Sequence, residues 1–256
     1  MDLNIAGRVA LVTGGSQGIG RAVAIQLGRE GARVALTYRH ERVKAEEAAS
    51  AIESAGGQAM CIPMDLEALD TVRDAAAAAT SRWGGVDVLV NNAVLWGDRK
   101  PWEMPLFEDV PQAEWQRSFR ANFEGAYAAI QAVLPSMRAR RRGRIVSISS
   151  GVALDGVPGG GSYGAAKAGL HGLTSTLARE LRPAGILVNV VVPGATLTEH
   201  MTAALPPAIR EQRENAYPIR RLLPPEEVAP TVVFLCSALN TAVTGEVIRA
   251  SGGRPS

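Results

Sequence analysis

A glycine-rich turn between an apolar run and a helical segment is the feature that most constrains the fold. Residues 8–13 (RVALVT) are short, apolar and rich in β-branched side chains, which is typical of a buried strand. The sequence GGSQGIG follows at 14–20, and a helical pattern continues through 21–30. A strand, a glycine turn and a helix start bring backbone N–H groups to the positive end of a helix, which suits a pyrophosphate. Taken alone, the spacing G-x-x-x-G-x-G also describes a tight turn that binds nothing.

Predicted strands and helices alternate along the whole chain. The pattern predicts strands at 8–13, 33–38, 58–64, 86–91, 144–149, 186–192 and 246–250, and helices at about 19–30, 41–55, 67–83, 111–139, 162–182 and 225–238. This alternation predicts one α/β domain over residues 1–256, a doubly wound parallel sheet with helices on both faces. Ligands of such sheets bind at the carboxyl ends of the strands.

Tyr163 and Lys167 are four residues apart in a segment predicted to be helical, so their side chains project from one face. A phenol normally loses its proton near pH 10, and a neighbouring cation is expected to lower the pKa of Tyr163 toward neutrality. Such a phenol can protonate a carbonyl oxygen while a hydride reaches the carbon. The same spacing by itself also describes an ordinary surface pair.

A series of ordered motifs resembles the short-chain dehydrogenase/reductase family from end to end. The motifs are TGGSQGIG at 13–20, DL at 65–66, NNA at 91–93, Asn122, Ser150, Tyr163 with Lys167, PG at 193–194 and TGE at 244–246. The resemblance implies a Rossmann-like fold, a nicotinamide cofactor and oxidoreductase activity. Within the family the chain is similar to the 3-oxoacyl-(acyl-carrier-protein) reductase-like ketoreductases.

The resemblance implies four catalytic residues. The hydroxyl of Ser150 would hold the substrate carbonyl oxygen, whereas alternation along the strand turns Ser149 to the other face. Tyr163 would give the proton, and Lys167 would lower the tyrosine pKa and bind the nicotinamide ribose. Asn122 is expected to kink its helix and to hold a water that relays protons to Lys167.

Coenzyme choice is expected to depend on the end of the second strand. An acidic residue there would favour NAD(H), but the chain has Tyr38 followed by Arg39, whose guanidinium can grip a 2′-phosphate. NADP(H) is therefore favoured, with NAD(H) as the alternative, although Gln17 stands where many NADP-preferring relatives have a basic residue. Asp65 would accept from the adenine amino group. The remaining expected cofactor residues are Gly14, Ser16, Gln17, Gly18, Ile19, Gly20, Leu66, Asn92, Ala93, Tyr163, Lys167, Pro193, Gly194, Thr196 and Thr198.

Three further features bear on the substrate. Val94 replaces a glycine that the resemblance predicts and is expected to narrow the pocket or shift its loop. The loop 95–111 is long and contains Trp96, Trp102 and Phe107, which either cover the core or wall a pocket for an aromatic or polyketide-like substrate. The segment 195–223 is expected to form a substrate lid.

An arginine-rich run at residues 138–144 ends a predicted helix. Cations at a helix C-terminus are favoured by the helix dipole and need no further function. The run also resembles the docking edge of reductases that act on acyl-carrier-protein thioesters, so acyl carrier protein is a candidate partner.

Three functions follow: an NADPH-dependent ketoreductase for a 3-oxoacyl thioester or polyketide-like ketone, an NAD(P)-dependent alcohol or sugar dehydrogenase, or a nucleotide-sensing regulator without turnover.

Composition narrows the remaining possibilities. A net charge of +2 indicates neither a nucleic-acid partner nor a membrane surface. Cys61 and Cys236 lie in apolar runs, which indicates unpaired core cysteines in a protein of a reducing compartment. The three histidines lack the spacing of metal ligands. With no signal peptide recognised, a cytoplasmic location is expected. The resemblance also implies a homotetramer.

Overall fold

One parallel sheet organises the part of the chain that the computed structural model describes, residues 2–97 and 105–254. Its seven strands run in the spatial order β3-β2-β1-β4-β5-β6-β7, and every neighbouring pair is parallel. The strands are β1 (Val9–Val12), β2 (Arg33–Tyr38), β3 (Gln58–Pro63), β4 (Val88–Asn91), β5 (Gly143–Ile148), β6 (Ile186–Pro193) and β7 (Val247–Ala250). The predicted doubly wound α/β class is thereby confirmed.

Ten α-helices connect or follow the strands within the described residues. They are α1 (Gly18–Arg29), α2 (Arg42–Ser54), α3 (Leu69–Trp83), α4 (Gln112–Phe119), α5 (Gly125–Arg140), α6 (Val152–Asp155), α7 (Gly161–Leu181), α8 (Glu199–Ala204), α9 (Pro207–Ala216) and α10 (Pro225–Cys236). The helix predicted at about 111–139 is interrupted by a π-helical turn, Arg120–Glu124, which contains Asn122 and separates α4 from α5.

The sheet has an apolar core on each face because side chains alternate along every strand. In β1, Ala10 and Val12 belong to the core that packs against α1, α2 and α10. Val9 and Leu11 belong to the opposite core, against α3, α5 and α7. All four residues of β1 are buried, which explains why this central strand is a continuous apolar run rather than an alternating one.

The segment between β6 and β7 is more ordered than its proline content suggests. It contains α8, α9 and the start of α10, and Thr196 forms an isolated parallel bridge with Leu223. The hydroxyl of Tyr217, a buried residue, accepts a hydrogen bond from the Ala195 N–H at 2.9 Å. These contacts close the segment 195–223 onto itself beside the carboxyl end of β6.

Replacing Gly20 by alanine should destabilise the fold. A Cβ at this position would lie 2.3 Å from both the Asn92 Nδ2 and the Gly14 carbonyl oxygen. Because one of these atoms belongs to the backbone, we expect G20A to lower the free energy of unfolding by about 1–3 kcal/mol. The matched control is Gly172 in α7, where a Cβ meets nothing within 4 Å. Chemical denaturation should show G172A neutral or stabilising by up to ~1 kcal/mol; equal effects of the two substitutions would contradict the packing.

Candidate active site

The glycine turn after β1 is fixed to the end of β4 by a small hydrogen-bond network. The Thr13 Oγ1 accepts from the N–H groups of Asn92 and Ala93 at 2.9 and 3.0 Å. The Asn92 side-chain amide donates to the carbonyl oxygens of Thr13 and Gly14, both at 3.0 Å. Asn92 thus ties neighbouring strands together as expected, while the role of Thr13 was not anticipated from the sequence. The network sets the position of the turn relative to β4.

The N-terminus of α1 faces this turn without a local cap. Gln17 stands at the N-cap position but makes no side-chain capping hydrogen bond, and the first turn has no acidic residue. The first N–H groups of a helix have no partner within the helix. Gly18 has a φ of +56°, which glycine adopts readily. With Ile19 and Gly20 next to it, this uncapped end fits an anion such as the pyrophosphate of a dinucleotide.

Arg39, at the end of β2, is held by two carboxylates. Its guanidinium lies 3.0 Å from the Asp65 carboxylate and 3.0 Å from that of Glu67. Glu67 also accepts from Arg117 at 2.6 Å, and these two arginines lower the pKa of its carboxyl. Asp65 therefore contacts Arg39 in this structure, a pairing that the sequence prediction of an adenine contact did not include. Tyr38 is half-buried against the core next to it.

Ser150, Tyr163 and Lys167 lie together beyond the end of β5. Burial raises the pKa of Tyr163 to about 12, and a hydrogen bond with the side chain of Ser150 opposes that rise. The Lys167 Nζ lies 5.9 Å from the centre of the Tyr163 ring and donates to the Ile148 carbonyl oxygen at 2.9 Å. Burial lowers the pKa of Lys167 to about 8. The expected fall of the tyrosine pKa is thus absent here, because loss of hydration outweighs the hydrogen bond with Ser150.

Asn122 lies in the π-helical turn, so the expected distortion of its helix is present. Its amide nitrogen donates to the carbonyl oxygens of Ser118 and Leu95 at 2.9 and 3.0 Å, and its oxygen accepts from the Leu95 N–H at 3.1 Å. The bond to Ser118 replaces part of the backbone ladder, which accounts for the wider turn. Asn122 therefore holds the start of the loop 95–111 in place.

A small cavity of about 10 Å³ lies between Asn122 and Lys167. Thr13 and Asn91 add further polar side chains to its wall, and Leu66 and Ala93 line it as well. This volume is at the lower limit of what one water molecule needs, and the polar side chains in the wall offer hydrogen-bond partners. The expected link from Asn122 through a water to Lys167 is compatible with this geometry.

Ser149 and Ser150 have different surroundings, as the alternation along β5 predicts. The Ser149 Oγ is buried and lies 2.8 Å from the His171 Nε2. Burial also lowers the pKa of His171. Ser149 is therefore directed toward His171 rather than toward Tyr163.

Trp96 packs over the ring of Tyr163. Its ring centre lies 5.2 Å from that of Tyr163 and 6.2 Å from that of His200. The ring planes of Trp96 and His200 differ by only 11°, so these two rings are stacked. Trp96 is 47% exposed and Phe107 is 84% exposed, with the Phe107 ring packed over Gly161 at the start of α7. Trp102, which the sequence also indicated, lies outside the described residues. These contacts place part of the loop 95–111 at the mouth of the site.

The turn after β6 places one of its two threonines beside the glycine turn. Pro193 ends β6, and Gly194 packs against the hydroxyl of Tyr217. Thr196 is buried and its hydroxyl donates to the Gly194 carbonyl oxygen at 3.1 Å. Thr198 caps α8, and its methyl group lies against Gly18. Of the two threonines, Thr198 is therefore the one that lies beside the glycine turn.

Val94 does not have the positive φ that would require glycine. It is half-buried in the segment between β4 and the loop 95–111. The backbone of this position thus accommodates a β-branched residue. A side chain remains where the resemblance predicts none.

The arginines of the run 138–144 are used within the chain. Arg140 donates to the carbonyl oxygens of Gly84 and Val86, and Arg142 pairs with the buried Asp87 at 2.9 Å. The others contact Glu180 (Arg138), the Pro183 carbonyl oxygen (Arg141) and the carbonyl oxygens of Ser237 and Asn240 (Arg144). The run therefore joins the ends of β4, β5 and α7, while the side chains of Arg138 and Arg142 remain 44% and 49% exposed.

Neither metal ligation nor a membrane span is found in the described ranges, 2–97 and 105–254. Those residues contain no group of three or more His, Cys, Asp or Glu side chains able to hold a metal ion. None of their helices combines the length and the apolar character that crossing a membrane requires.

Comparisons with known proteins agree with this geometry. A family model described as enoyl-(acyl carrier protein) reductase matches residues 14–254. The chain is 39% identical over 256 residues to 3-oxoacyl-[acyl-carrier-protein] reductase FabG of Aquifex aeolicus, covering 99% of each. It is 38% identical over 244 residues to the protein of the same name from Staphylococcus epidermidis, covering 95% of this chain and 97% of that one.

Solved structures show the same similarity. A dehydrogenase/reductase from Sinorhizobium meliloti 1021 has a TM-score of 0.88 at 35% identity, covering 100% of this chain and 98% of that one. A 7α-hydroxysteroid dehydrogenase complexed with NADH and 7-oxo glycochenodeoxycholic acid has a TM-score of 0.91 at 31% identity, covering 99% and 96%. A structure titled short chain dehydrogenase/reductase family protein has a TM-score of 0.84 at 36% identity, covering 99% and 98%.

Replacing Lys167 by methionine should remove a pH-dependent part of the stability. The pKa of Lys167 is about 8 in the folded chain and roughly 10.4 in an unfolded one. Below about pH 8 the folded state holds a buried ammonium at a cost, and this cost disappears as the pH rises toward 10. Denaturation at several pH values should show wild type gaining roughly 2–3 kcal/mol of unfolding free energy relative to K167M between about pH 7.5 and 10. If the unfolding free energies of wild type and K167M changed in parallel with pH, the lowered pKa of Lys167 would be contradicted.

Proposed function

The chain belongs to the short-chain dehydrogenase/reductase family and is an NAD(P)-dependent oxidoreductase acting on CH–OH or C=O groups; on this premise we propose that it reduces a ketone to a secondary alcohol with NADPH. The observation that carries the proposal is the convergence of Ser150, Tyr163 and Lys167 beside the glycine turn. Polar groups at the carboxyl ends of parallel strands are where this fold class binds its ligands.

The proposed chemistry assigns one task to each of these side chains. When bound, the nicotinamide supplies a hydride to the carbonyl carbon. The Ser150 hydroxyl donates to the carbonyl oxygen, and Tyr163 transfers its proton to that oxygen as negative charge develops there. A pKa of about 12 keeps Tyr163 protonated at neutral pH. Transfer to the alkoxide is still favourable, because an alkoxide is a stronger base than a phenolate.

Lys167 acts on the other side of the phenol. Its ammonium would stabilise the phenolate left after proton transfer, an effect that is strong in a buried site. The cavity between Asn122 and Lys167 gives a water-sized route by which a proton could return. Asn122 also holds the Leu95 backbone through both its N–H and C=O groups. We assign Asn122 the role of positioning both this route and the loop 95–111.

Replacing Tyr163 by phenylalanine should abolish turnover without abolishing cofactor binding. Only the proton donor is removed, so we expect kcat to fall by a factor on the order of 10²–10⁴. The Kd for NADPH, measured by fluorescence titration, should change by less than about threefold. The matched control is Tyr127 in α5, which is 42% exposed, and Y127F should keep wild-type activity. Near-normal turnover of Y163F would show that another group is the acid.

We propose Arg39 as the contact for the adenosine 2′-phosphate. A phosphate there would compete with Asp65 and Glu67 for the guanidinium, and a dianionic phosphate with free acceptor oxygens suits bidentate binding. Arg117 pairs with Glu67 and would retain that carboxylate when Arg39 turns toward the phosphate. In the enzyme without cofactor, the two ion pairs would thus hold Arg39 near the place that the 2′-phosphate would take.

Replacing Arg39 by aspartate should weaken NADPH binding far more than NADH binding. The substitution removes a phosphate contact and adds a like charge, so a loss on the order of 10²-fold in NADPH affinity is expected. NADH should lose less than about threefold. Arg73 in α3, exposed and paired with Asp70, provides the charge-matched control R73D. Equal losses for both coenzymes would defeat the assignment.

The surroundings of Tyr163 favour an apolar ketone. Trp96 and Phe107 are exposed at the mouth, and Leu154 and Val157, from the segment between β5 and α7, are 43% and 49% exposed. Exposed apolar side chains gathered near a site indicate a surface that a ligand covers. We propose a 3-oxoacyl thioester or a polyketide-like ketone as the substrate, in preference to a sugar.

Acyl carrier protein remains the proposed carrier of such a thioester, because the relatives are named for 3-oxoacyl-[acyl-carrier-protein] reduction. The engaged arginines of the run 138–144 give no support to docking at that run. A homotetramer is proposed on the family resemblance alone.

A substrate panel should separate the apolar from the polar alternative. With NADPH in excess, kcat/KM for acetoacetyl-coenzyme A and for a bicyclic ketone such as 1-decalone should exceed that for a ketose by at least about 10²-fold, since apolar burial contributes ~25 cal/mol per Å². Acetone serves as the control for the bare carbonyl. Preference for the ketose would favour the alcohol or sugar dehydrogenase instead.

A further inference from the structure

A glutamate from the segment 195–223 reaches the N-terminus of α1. The Glu199 Oε2 accepts a hydrogen bond from the Gly18 N–H at 3.0 Å, although the two residues are 181 positions apart in sequence. Gln17 does not cap this helix, and its first turn has no acidic residue. The long-range carboxylate therefore does what a local capping side chain does elsewhere.

The same backbone amide belongs to the turn that the proposed function assigns to the cofactor pyrophosphate. A carboxylate and a pyrophosphate are both anions that accept from these N–H groups and are favoured by the positive helix end. They cannot share one N–H, and two negative charges so close would repel each other. Glu199 thus stands in for the cofactor in the free chain.

The residue after Glu199 contacts the other half of the site. His200 stacks on Trp96, and Trp96 lies over Tyr163. Both Glu199 and His200 belong to α8, whose first turn is capped by Thr198. A displacement of the α8 backbone at Glu199 would therefore also move His200, because one helical turn carries both side chains.

We propose that Glu199 is a built-in competitor of the cofactor pyrophosphate, so that cofactor binding displaces α8 and releases the Trp96–His200 stack over the catalytic tyrosine. Glu199 is a specificity-determining residue in this sense, since it weakens binding of ligands with a pyrophosphate. The inference rests on the proposed function, because it takes the glycine turn as the cofactor site. In the enzyme without cofactor, Tyr163 would be covered by Trp96, and in the enzyme with bound cofactor it would be accessible to the substrate.

Calorimetric titration of wild type and Glu199→Gln with NADPH tests the competition. Glutamine keeps the size of the side chain and removes its charge, so NADPH should bind on the order of 3- to 10-fold more tightly to E199Q. Adenosine 2′-monophosphate, which has no 5′-phosphate, is the probe that should bind both proteins equally. Glu211→Gln in α9 removes an equal charge from an exposed position of the same segment and should leave both affinities unchanged.

Fluorescence of Trp96 tests the coupling. The signal is the emission of each protein minus that of its Trp96→Phe counterpart, followed during titration with 2′-phospho-ADP-ribose. Wild type should show a change on saturation, because the His200 stack is released. Glu199→Ala, in which the contact with Gly18 is already lost, should show less than about half of that change.

The outcomes distinguish this inference from the proposed function. Tighter NADPH binding by E199Q alone supports the competition. Unchanged or weaker binding by E199Q, or equal tightening by E211Q, overturns it while the proposed function stands. If neither wild type nor E199Q binds NADPH or NADH, both fail. An equal fluorescence change in wild type and E199A overturns the coupling to Trp96.

Discussion

The attachment of the glycine turn to the end of β4 is the constraint on which the site depends. Thr13 and Asn92 satisfy the backbone groups that meet there, so the turn cannot move without leaving polar atoms unpaired. This fixes the N-terminus of α1, which has no local side-chain cap, relative to the ends of the neighbouring strands. Gly20 packs directly against Asn92, which excludes a larger residue. The rest of the site is arranged around an anion position set by the backbone.

Burial decides the chemistry of the second half of the site. The ammonium of Lys167 and the phenol of Tyr163 are close, yet each is shifted toward its neutral form because hydration is lost. The site therefore holds the protonated phenol of Tyr163 and a Lys167 ammonium that loses its proton more readily than an ordinary lysine. A developing alkoxide changes this balance, since a buried negative charge favours both proton transfer and the charged lysine. The protonation state of the pair would thus depend on the substrate as well as on bulk pH.

The sequence predicts the fold and the relative placement of Tyr163 and Lys167 well. All seven strands are found near their predicted positions, because buried parallel strands are apolar on both faces and stand out in composition. Tyr163 and Lys167 face the same way because helical spacing requires it. Each of these features is local, and local patterns are what a single sequence records.

The features that the sequence did not reveal depend on contacts between distant segments. The resemblance implied a kink at Asn122, but the π-helical form of that turn depends on the bonds of Asn122 to Leu95 and Ser118. The pairing of Arg39 with Glu67 and the bond between Glu199 and Gly18 join residues that only the fold brings together. The predicted fall of the Tyr163 pKa was wrong for a related reason, because the sequence shows the neighbouring charge of Lys167 but not the degree of burial of the phenol.

A structure of the chain with NADPH and an apolar ketone tests the central claim most directly. The account predicts the pyrophosphate on the N-terminal amides of α1 with Glu199 displaced. It also predicts the ketone oxygen within hydrogen-bond reach of both Ser150 and Tyr163. A nucleotide bound away from the glycine turn, or a ketone oxygen turned away from Tyr163, would contradict it.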